Sequence, residues 1–173
     1  MGEADEVFVA AFREHADGLF RYAFLRLRSR DRATDMVQDT FMKVWDYLRA
    51  GGTVREYKGF LYRTLRNLII DESRRKRAES LDAMTDERRA YVDAELAESA
   101  YVSVEDVIDT EAVKKQVRGA LVTLAPDYQE VLTLRYIEGF SPKEIARMIG
   151  VTENVVSVRI NRGVHMLRTH FSV

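Results

Sequence analysis

The chain has 173 residues, 46% of them hydrophobic and 32% charged, with a formal net charge of −1 and no cysteine. That length holds either one ordinary core or two small helical ones. Without cysteine, a disulfide framework, a thiolate metal site and a cysteine nucleophile are excluded, and redox chemistry is not expected.

From Glu6 to Leu27 the apolar residues Val7, Phe8, Ala11, Phe12, Leu19, Phe20, Ala23, Phe24 and Leu27 recur at spacings of three and four, which predicts an amphipathic helix. The charged segment Arg28 to Arg32 is expected to turn the chain. A second helix fits Ala33 to Leu48, with Val37, Phe41, Val44, Trp45 and Leu48 on one stripe and Gly51-Gly52 closing it. After a loop through about Tyr57, a third helix runs from near Lys58 to Arg77. It buries Phe60, Leu61, Leu65, Leu68 and Ile69 and leaves Arg63, Arg66, Asn67, Arg74 and Arg75 off that stripe. Together these make a three-helix unit.

From Glu79 to about Glu111 acids dominate and apolar residues scatter, so a packed core is hard to build and a linker is expected. The net charge hides this division. Residues 1–78 hold 16 Lys/Arg against 12 Asp/Glu, residues 79–112 hold 2 against 11, and residues 113–173 hold 9 against 5. Two mildly basic ends flank an acidic middle, and local patches set the field that a partner meets.

Helical spacing resumes with Ala112, Val113, Val117, Ala120, Leu121 and Leu124. Pro126 then suits the first position of a helix burying Val131, Leu132, Leu134 and Ile137, with Gly139 as its stop. Ser141-Pro142-Lys143-Glu144 combines a capping serine, a proline at the first helical position and a glutamate three residues after the cap. The helix that starts there buries Ile145, Ala146 and Ile149; Gly150 permits a tight turn, Val151 plugs the corner and Thr152 caps a last helix that buries Val156, Ile160, Val164 and Leu167. This is a helix-turn-helix pattern, whose second helix enters a major groove in many DNA-binding proteins. Glu153, Asn154, Ser157, Val158, Arg159, Asn161 and Arg162 fall on its open side.

Each feature also has a structural explanation. Two helices with a glycine turn occur in proteins that never touch DNA, and Arg74-Arg75-Lys76-Arg77 alone suits a solvated helix end. Trp45 reads as core or interface, whereas Tyr57, expected in a loop beside a basic helix, is placed to stack on an unpaired base. His15, His165 and His170 form no zinc-like or catalytic cluster, and no phosphate-cradling loop or nucleophile elbow is present. No catalytic residue, metal site or cofactor is therefore expected. The acidic start and the lack of any run near the roughly 18 apolar residues that span a bilayer lead to the expectation of a soluble cytoplasmic protein without membrane insertion.

Three ordered stretches resemble one family. Arg30-Asp31-Arg32-Ala33-Thr34-Asp35-Met36-Val37-Gln38-Asp39-Thr40-Phe41-Met42-Lys43-Val44-Trp45 resembles the core-binding part of sigma region 2, close to A-E-D-L-V-Q-E-T-F-L-R-V-W. Phe60-Leu61-Tyr62-Arg63-Thr64-Leu65-Arg66-Asn67-Leu68-Ile69-Ile70-Asp71, followed by Arg74 and Arg75, resembles the W-L-Y-R-I-A-R-N-L-x-I-D-x-x-R-R helix of the same domain. Leu124-Ala125-Pro126, Tyr136 to Ser141 and Glu144-Ile145-Ala146 are similar to sigma region 4. The short chain without a region-3 domain resembles the bacterial extracytoplasmic-function group.

That resemblance implies an all-α fold: a region 2 helical bundle over 1–78, an acidic flexible linker over 79–111 and a region 4 helix-turn-helix over 112–173. It implies a non-enzymatic subunit that binds core RNA polymerase and opens promoter DNA, with an anti-sigma factor as its regulator. Asp35, Gln38 and Asp39 would face the clamp helices of the beta-prime subunit, supported by Phe41, Met42 and Trp45, and region 4 would meet the beta flap. The Arg49 to Tyr57 loop, including Arg55, would capture a flipped base of the minus-10 element, a pocket offsetting the cost of unstacking. Arg63, Arg66, Asn67, Arg74 and Arg75 would line the duplex edge. Ser141, Lys143, Glu153, Asn154, Ser157, Val158, Arg159 and Arg162 would read the minus-35 element. The acidic linker would either occupy the RNA exit path or serve as a solvated tether. Where the family often has T-V-K-S-R, this chain has Val155-Val156-Ser157-Val158-Arg159, so the minus-35 sequence does not transfer. A stand-alone helix-turn-helix regulator, with a dimer face and a palindromic operator, is the alternative from another class.

Overall fold

The computed structural model describes the backbone of residues 3–80 and 119–171 and the side chains of 6–76 and 119–169. The chain divides into two compact units, Met1–Leu96 and Ala97–Val173. All regular structure among the described residues is helical. Most of the expected linker, and residues 112–118 of the helix expected next, lie outside the described residues.

The first unit consists of α1 (Glu3–Leu27), α2 (Arg30–Arg49) and α3 (Tyr57–Ser80), each packed on the other two. The apolar stripes meet in a core of Leu19, Tyr22 and Ala23 from α1, Ala33, Val37, Phe41 and Val44 from α2, and Leu61, Tyr62, Leu65 and Ile69 from α3. Aromatic pairs bind the helices together: Phe8 lies 4.9 Å from Trp45 and Phe12 lies 4.7 Å from Phe41. Tyr22 meets Tyr62 edge-on at 5.7 Å. Thr40 is fully buried, which its hydroxyl tolerates by donating to the Met36 carbonyl at 2.7 Å.

The expected turn over Arg28 to Arg32 is shorter in the structure. Arg28 alone takes a left-handed conformation, at φ 52°, and Ser29 already caps α2 by accepting a long 3.5 Å bond from the Arg32 amide. Arg30, Asp31 and Arg32 are therefore helical; their charges stay at the surface of the first turn and do not break it. Arg32 also has a distant partner. Its Nε and Nη2 donate to both oxygens of Glu72 on α3, at 3.1 and 2.8 Å, and Lys76 Nζ lies 2.9 Å from the same carboxylate.

The second unit begins, among the described residues, with a helical stretch at 119–123. It continues with α4 (Pro126–Leu132), a π turn over Thr133–Ile137, α5 (Pro142–Ile149) and α6 (Glu153–Phe171). The sequence predicts one continuous helix from Pro126 that buries Ile137. Instead the wider π turn shifts the stripe, leaving Ile137 37% and Tyr136 64% exposed. Gly139, at φ 76°, then reverses the chain. At α5 the capping box forms as expected: Ser141 Oγ accepts from the Glu144 amide at 3.3 Å, and Glu144 Oε2 accepts from the Ser141 amide at 2.7 Å. Gly150 sits at φ 74°, and Thr152 Oγ1 caps α6 by accepting from the Val155 amide at 3.3 Å. Val156 and Ile160 are buried, while Val164 and Leu167 are half-buried. α6 crosses α4 closely at Gly163, where an added Cβ would lie 2.8 Å from Leu132 Cδ1.

Two consequences are measurable. The Arg32 guanidinium, aided by Lys76 and opposed by burial, holds the Glu72 carboxyl below its ordinary value near 4.5. Because the folded value is depressed, the stability this carboxylate contributes is fully present above about pH 4.5 and is lost as pH falls through the lowered value. Glu72→Gln is expected to destabilise the first unit by about 1–2 kcal/mol at pH 7, with the difference from the parent shrinking below pH 4.5. Urea unfolding followed by the fluorescence of Trp45, the chain's single tryptophan, reads this directly. Gly163→Val overpacks the α4–α6 crossing, because Leu132 is itself buried. It is expected to cost about 1–3 kcal/mol, seen as hydrogen exchange of α6 amides accelerating by about 5- to 150-fold.

Candidate nucleic-acid interface

At 3.6 residues per turn, Asp35, Gln38, Asp39 and Met42 fall on one stripe of α2, opposite the buried stripe of Ala33, Val37, Thr40 and Val44. All four are exposed, Met42 by 64%. Asp46 extends the same stripe and was not singled out by the sequence. The other two residues expected at this surface serve beneath it. Phe41 is 5% exposed, and Trp45 is half-buried against Phe8.

The second cluster lies along the α2–α3 connection and α3. Arg49 ends α2, Arg55 is exposed in the connection, and Tyr57 is half-buried. Tyr57 is the first residue of α3 and not part of the loop, as the sequence suggested, because Glu56 starts the helix: its carboxylate accepts from the Gly59 amide at 2.6 Å. Glutamate is not a favoured capping residue, so local capping rules pass over it. The loop itself rests on Tyr47, whose ring lies 5.4 Å from Phe60 and leaves no room for a Cβ at Gly52. On α3, Arg63, Asn67 and Arg74 are exposed along one stripe, with the half-buried Arg66 at its edge. Arg75 is exposed too but stands roughly a third of a turn away.

The third cluster is the α5–α6 corner. The Ser141 hydroxyl is committed to the capping box, which also includes a 2.6 Å contact to Glu144 Oε2. Lys143, Glu153, Asn154 and Arg162 are exposed, Val158 is 40% exposed and Ser157 is half-buried. Arg159 differs from its neighbours. It lies on the flank of α6 facing α4, and its Nη2 is 2.8 Å from Asp127 Oδ2. Between these helices an open groove of about 480 Å³ is lined by Pro126, Asp127, Tyr128, Asn154, Val155, Val158, Arg159 and Arg162, among others. Asp127 was missed from sequence; it precedes Arg159 by 32 positions, and no local pattern connects them.

Among the described residues, no group of three or more His, Cys, Asp or Glu is placed to hold a metal ion, and no helix is long and apolar enough to cross a membrane.

Residues 11–79 match the family described as Sigma-70 region 2, and residues 114–167 match Sigma-70, region 4. The chain is 29% identical over 160 residues to the ECF RNA polymerase sigma factor SigL of Mycobacterium tuberculosis, covering 92% of this chain and 85% of that protein. It is 31% identical over 171 residues to the ECF RNA polymerase sigma factor BldN of Streptomyces coelicolor, covering 96% of this chain and 60% of BldN. In fold it is similar to the sigma factor RpoE of Bartonella quintana, solved with the anti-sigma factor NepR, at a TM-score of 0.75 and 23% identity over 97% of this chain and 98% of that one. It is also similar to CnrH, solved with the cytosolic domain of CnrY, at a TM-score of 0.65 and 21% identity over 96% and 88% of the two chains. With both sigma regions present in order, each on its own helical unit, the chain belongs to the sigma-70 family, in its extracytoplasmic-function group.

Proposed function

We propose that this chain binds core RNA polymerase in the bacterial cytoplasm and directs it to particular promoters, with catalysis left to the polymerase and no active site of its own. The observation that carries this reading is the exposed α2 stripe of Asp35, Gln38, Asp39 and Met42 on the region 2 match. A polar outer face is what any helix packed on a three-helix core shows to water, but Met42, 64% exposed between Asp39 and Asp46 on that face, adds apolar area that the fold does not use, and such a mixed stripe suits the beta-prime clamp helices. Phe41 and Trp45 support it from beneath.

The remaining assignments follow the same logic. Arg49, Arg55, Tyr57, Arg63, Arg66, Asn67, Arg74 and Arg75 serve the minus-10 element, Tyr57 offering a ring and the cations answering phosphates. Ser141, Lys143, Glu153, Asn154, Ser157, Val158, Arg159 and Arg162 serve the minus-35 element, with Val158 suited to a thymine methyl. Residues 1–78 and 112–173 act as the two binding domains and 79–111 as the linker, while region 4 also meets the beta flap. An anti-sigma factor regulates the chain, as the RpoE–NepR complex illustrates for a protein of the same fold.

The decisive experiment mixes the purified chain with sigma-free core polymerase and looks for co-elution on size exclusion and for discrete run-off transcripts over genomic fragments. Co-elution with specific start sites is expected; tight binding to duplex DNA without binding to core would point to a stand-alone regulator. Replacing Asp35 and Gln38 together by Ala should weaken core binding by at least about thirty-fold with the thermal unfolding curve unchanged. Unchanged core affinity would remove the α2 stripe from the interface.

A further inference from the structure

Resting on the reading of α6 as the minus-35 helix, we propose that Asp127 is a specificity-determining residue, whose carboxylate withholds Arg159 from the DNA backbone and so suppresses binding to arbitrary sequence.

The two ends of this ion pair are mounted on helices that cannot drift apart. Asp127 follows Pro126, whose ring fixes the first turn of α4, and α4 is locked to α6 where Leu132 packs over Gly163. The Nη2–Oδ2 separation is 2.8 Å, with the Arg159 side chain 29% and the Asp127 side chain 64% exposed. An ion pair this open to water contributes little to the fold. Its effect on a polyanion is larger, for two reasons. Pairing takes up one of the two arginines, Arg159 and Arg162, that line the α4–α6 groove beside Asn154 and Val158. The carboxylate, itself 64% exposed, also lines the groove that Arg162 lines, and so lowers the positive field that an approaching phosphate meets there.

Phosphates are the same at every sequence, so the backbone contact that the tie denies to Arg159 is denied on every duplex. A matched site offsets that loss by a base-edge contact from the tethered Arg159 itself, and a mismatched one does not. Arg159 has five donors, of which the tie uses one end of the fork, so the guanidinium can still turn toward a base edge without leaving Asp127. An unpaired arginine in the same place would take the nearest phosphate first. The tie converts a general DNA anchor into a conditional one.

The test uses the full chain assembled with core polymerase, two duplex probes (a promoter fragment found by run-off transcription and the same fragment with its minus-35 element scrambled), and a salt series. Asp127→Asn keeps the size of the side chain at a largely exposed position, so the fold should survive. Its binding to the scrambled probe is expected to tighten by about 3- to 10-fold, with a slope of log K against log salt steeper by about one phosphate contact, roughly 0.9. Binding to the matched probe should change less than about 2-fold, so the specificity ratio falls. In an Arg159→Ala background the added slope should vanish. Equal weakening on both probes with an unchanged slope would make Asp127 a structural strut and overturn the proposal, as would no change on either. Arg162→Ala separates the two levels of inference. If it weakens binding while Asp127→Asn does nothing, α6 still reads DNA and only the tie falls; if neither variant moves binding, the reading of α6 falls and takes the tie with it.

Discussion

Three packed helices bury little more than one stripe of each, and what the first unit offers a partner is the circumference left over. In α2 the division is sharp. Ala33, Val37, Thr40 and Val44 fill one side, while Asp35, Gln38, Asp39 and Met42 occupy the other. A helix period of 3.6 makes these sets mutually exclusive, so any shift in the register of α2 would expose core and bury carboxylates together. The aromatic pairs Phe8–Trp45 and Phe12–Phe41 oppose such a shift, because large rings interdigitate in only a few arrangements. The rigidity of the exposed stripe thus derives from the packing behind it. The same pairing explains why Phe41 and Trp45, two of the residues proposed for the polymerase surface, are buried or half-buried beneath it.

The second unit achieves its geometry with short-range devices. The reciprocal bonds between Ser141 and Glu144 begin α5, Gly150 ends it in the left-handed region, and Thr152 restarts the chain as α6 three residues after Ile149. None of these alone sets where α6 lies. That is fixed by the crossing at Gly163, where the missing Cβ admits Leu132, and by the fully buried Val156. The crossing brings the flank of α6 against the start of α4, which is how Asp127 and Arg159 come to meet.

What was legible in the sequence followed the range of the interactions. Capping, glycine turns and apolar periodicity act over three or four residues, so the α5–α6 corner, the three long helices and their buried stripes were readable, and the family motifs lay on them. Charge misled where a distant partner decides. The run Arg28 to Arg32 looked like a turn, but Arg32 is held by Glu72 forty residues on, and only Arg28 leaves the helical region. Ile137 was expected in the core because nothing in the composition of Thr133–Ile137 announces a π turn. Tyr57 was expected in a loop because a glutamate cap has no strong signature. Asp127 had no signature at all, since the contact exists only once α4 and α6 are packed.

Counting cations along the chain therefore overstates what is available to an anion. In the first unit, Arg32 and Lys76 share the Glu72 carboxylate, whose pKa is held down by the two cations it binds, Arg32 foremost. The three groups carry a net single positive charge, and their geometry is spent on joining α2 to α3. In the second unit Arg159 is matched by Asp127. The two pairs differ in one decisive respect. Glu72 is 10% exposed and bidentate, so exchanging it for a phosphate would strand buried charge, whereas Asp127 is 64% exposed and its pairing with Arg159 adds little to the fold. Burial of the carboxylate, more than the length of the bond, separates an ion pair that builds the fold from one that only sets the charge a surface presents.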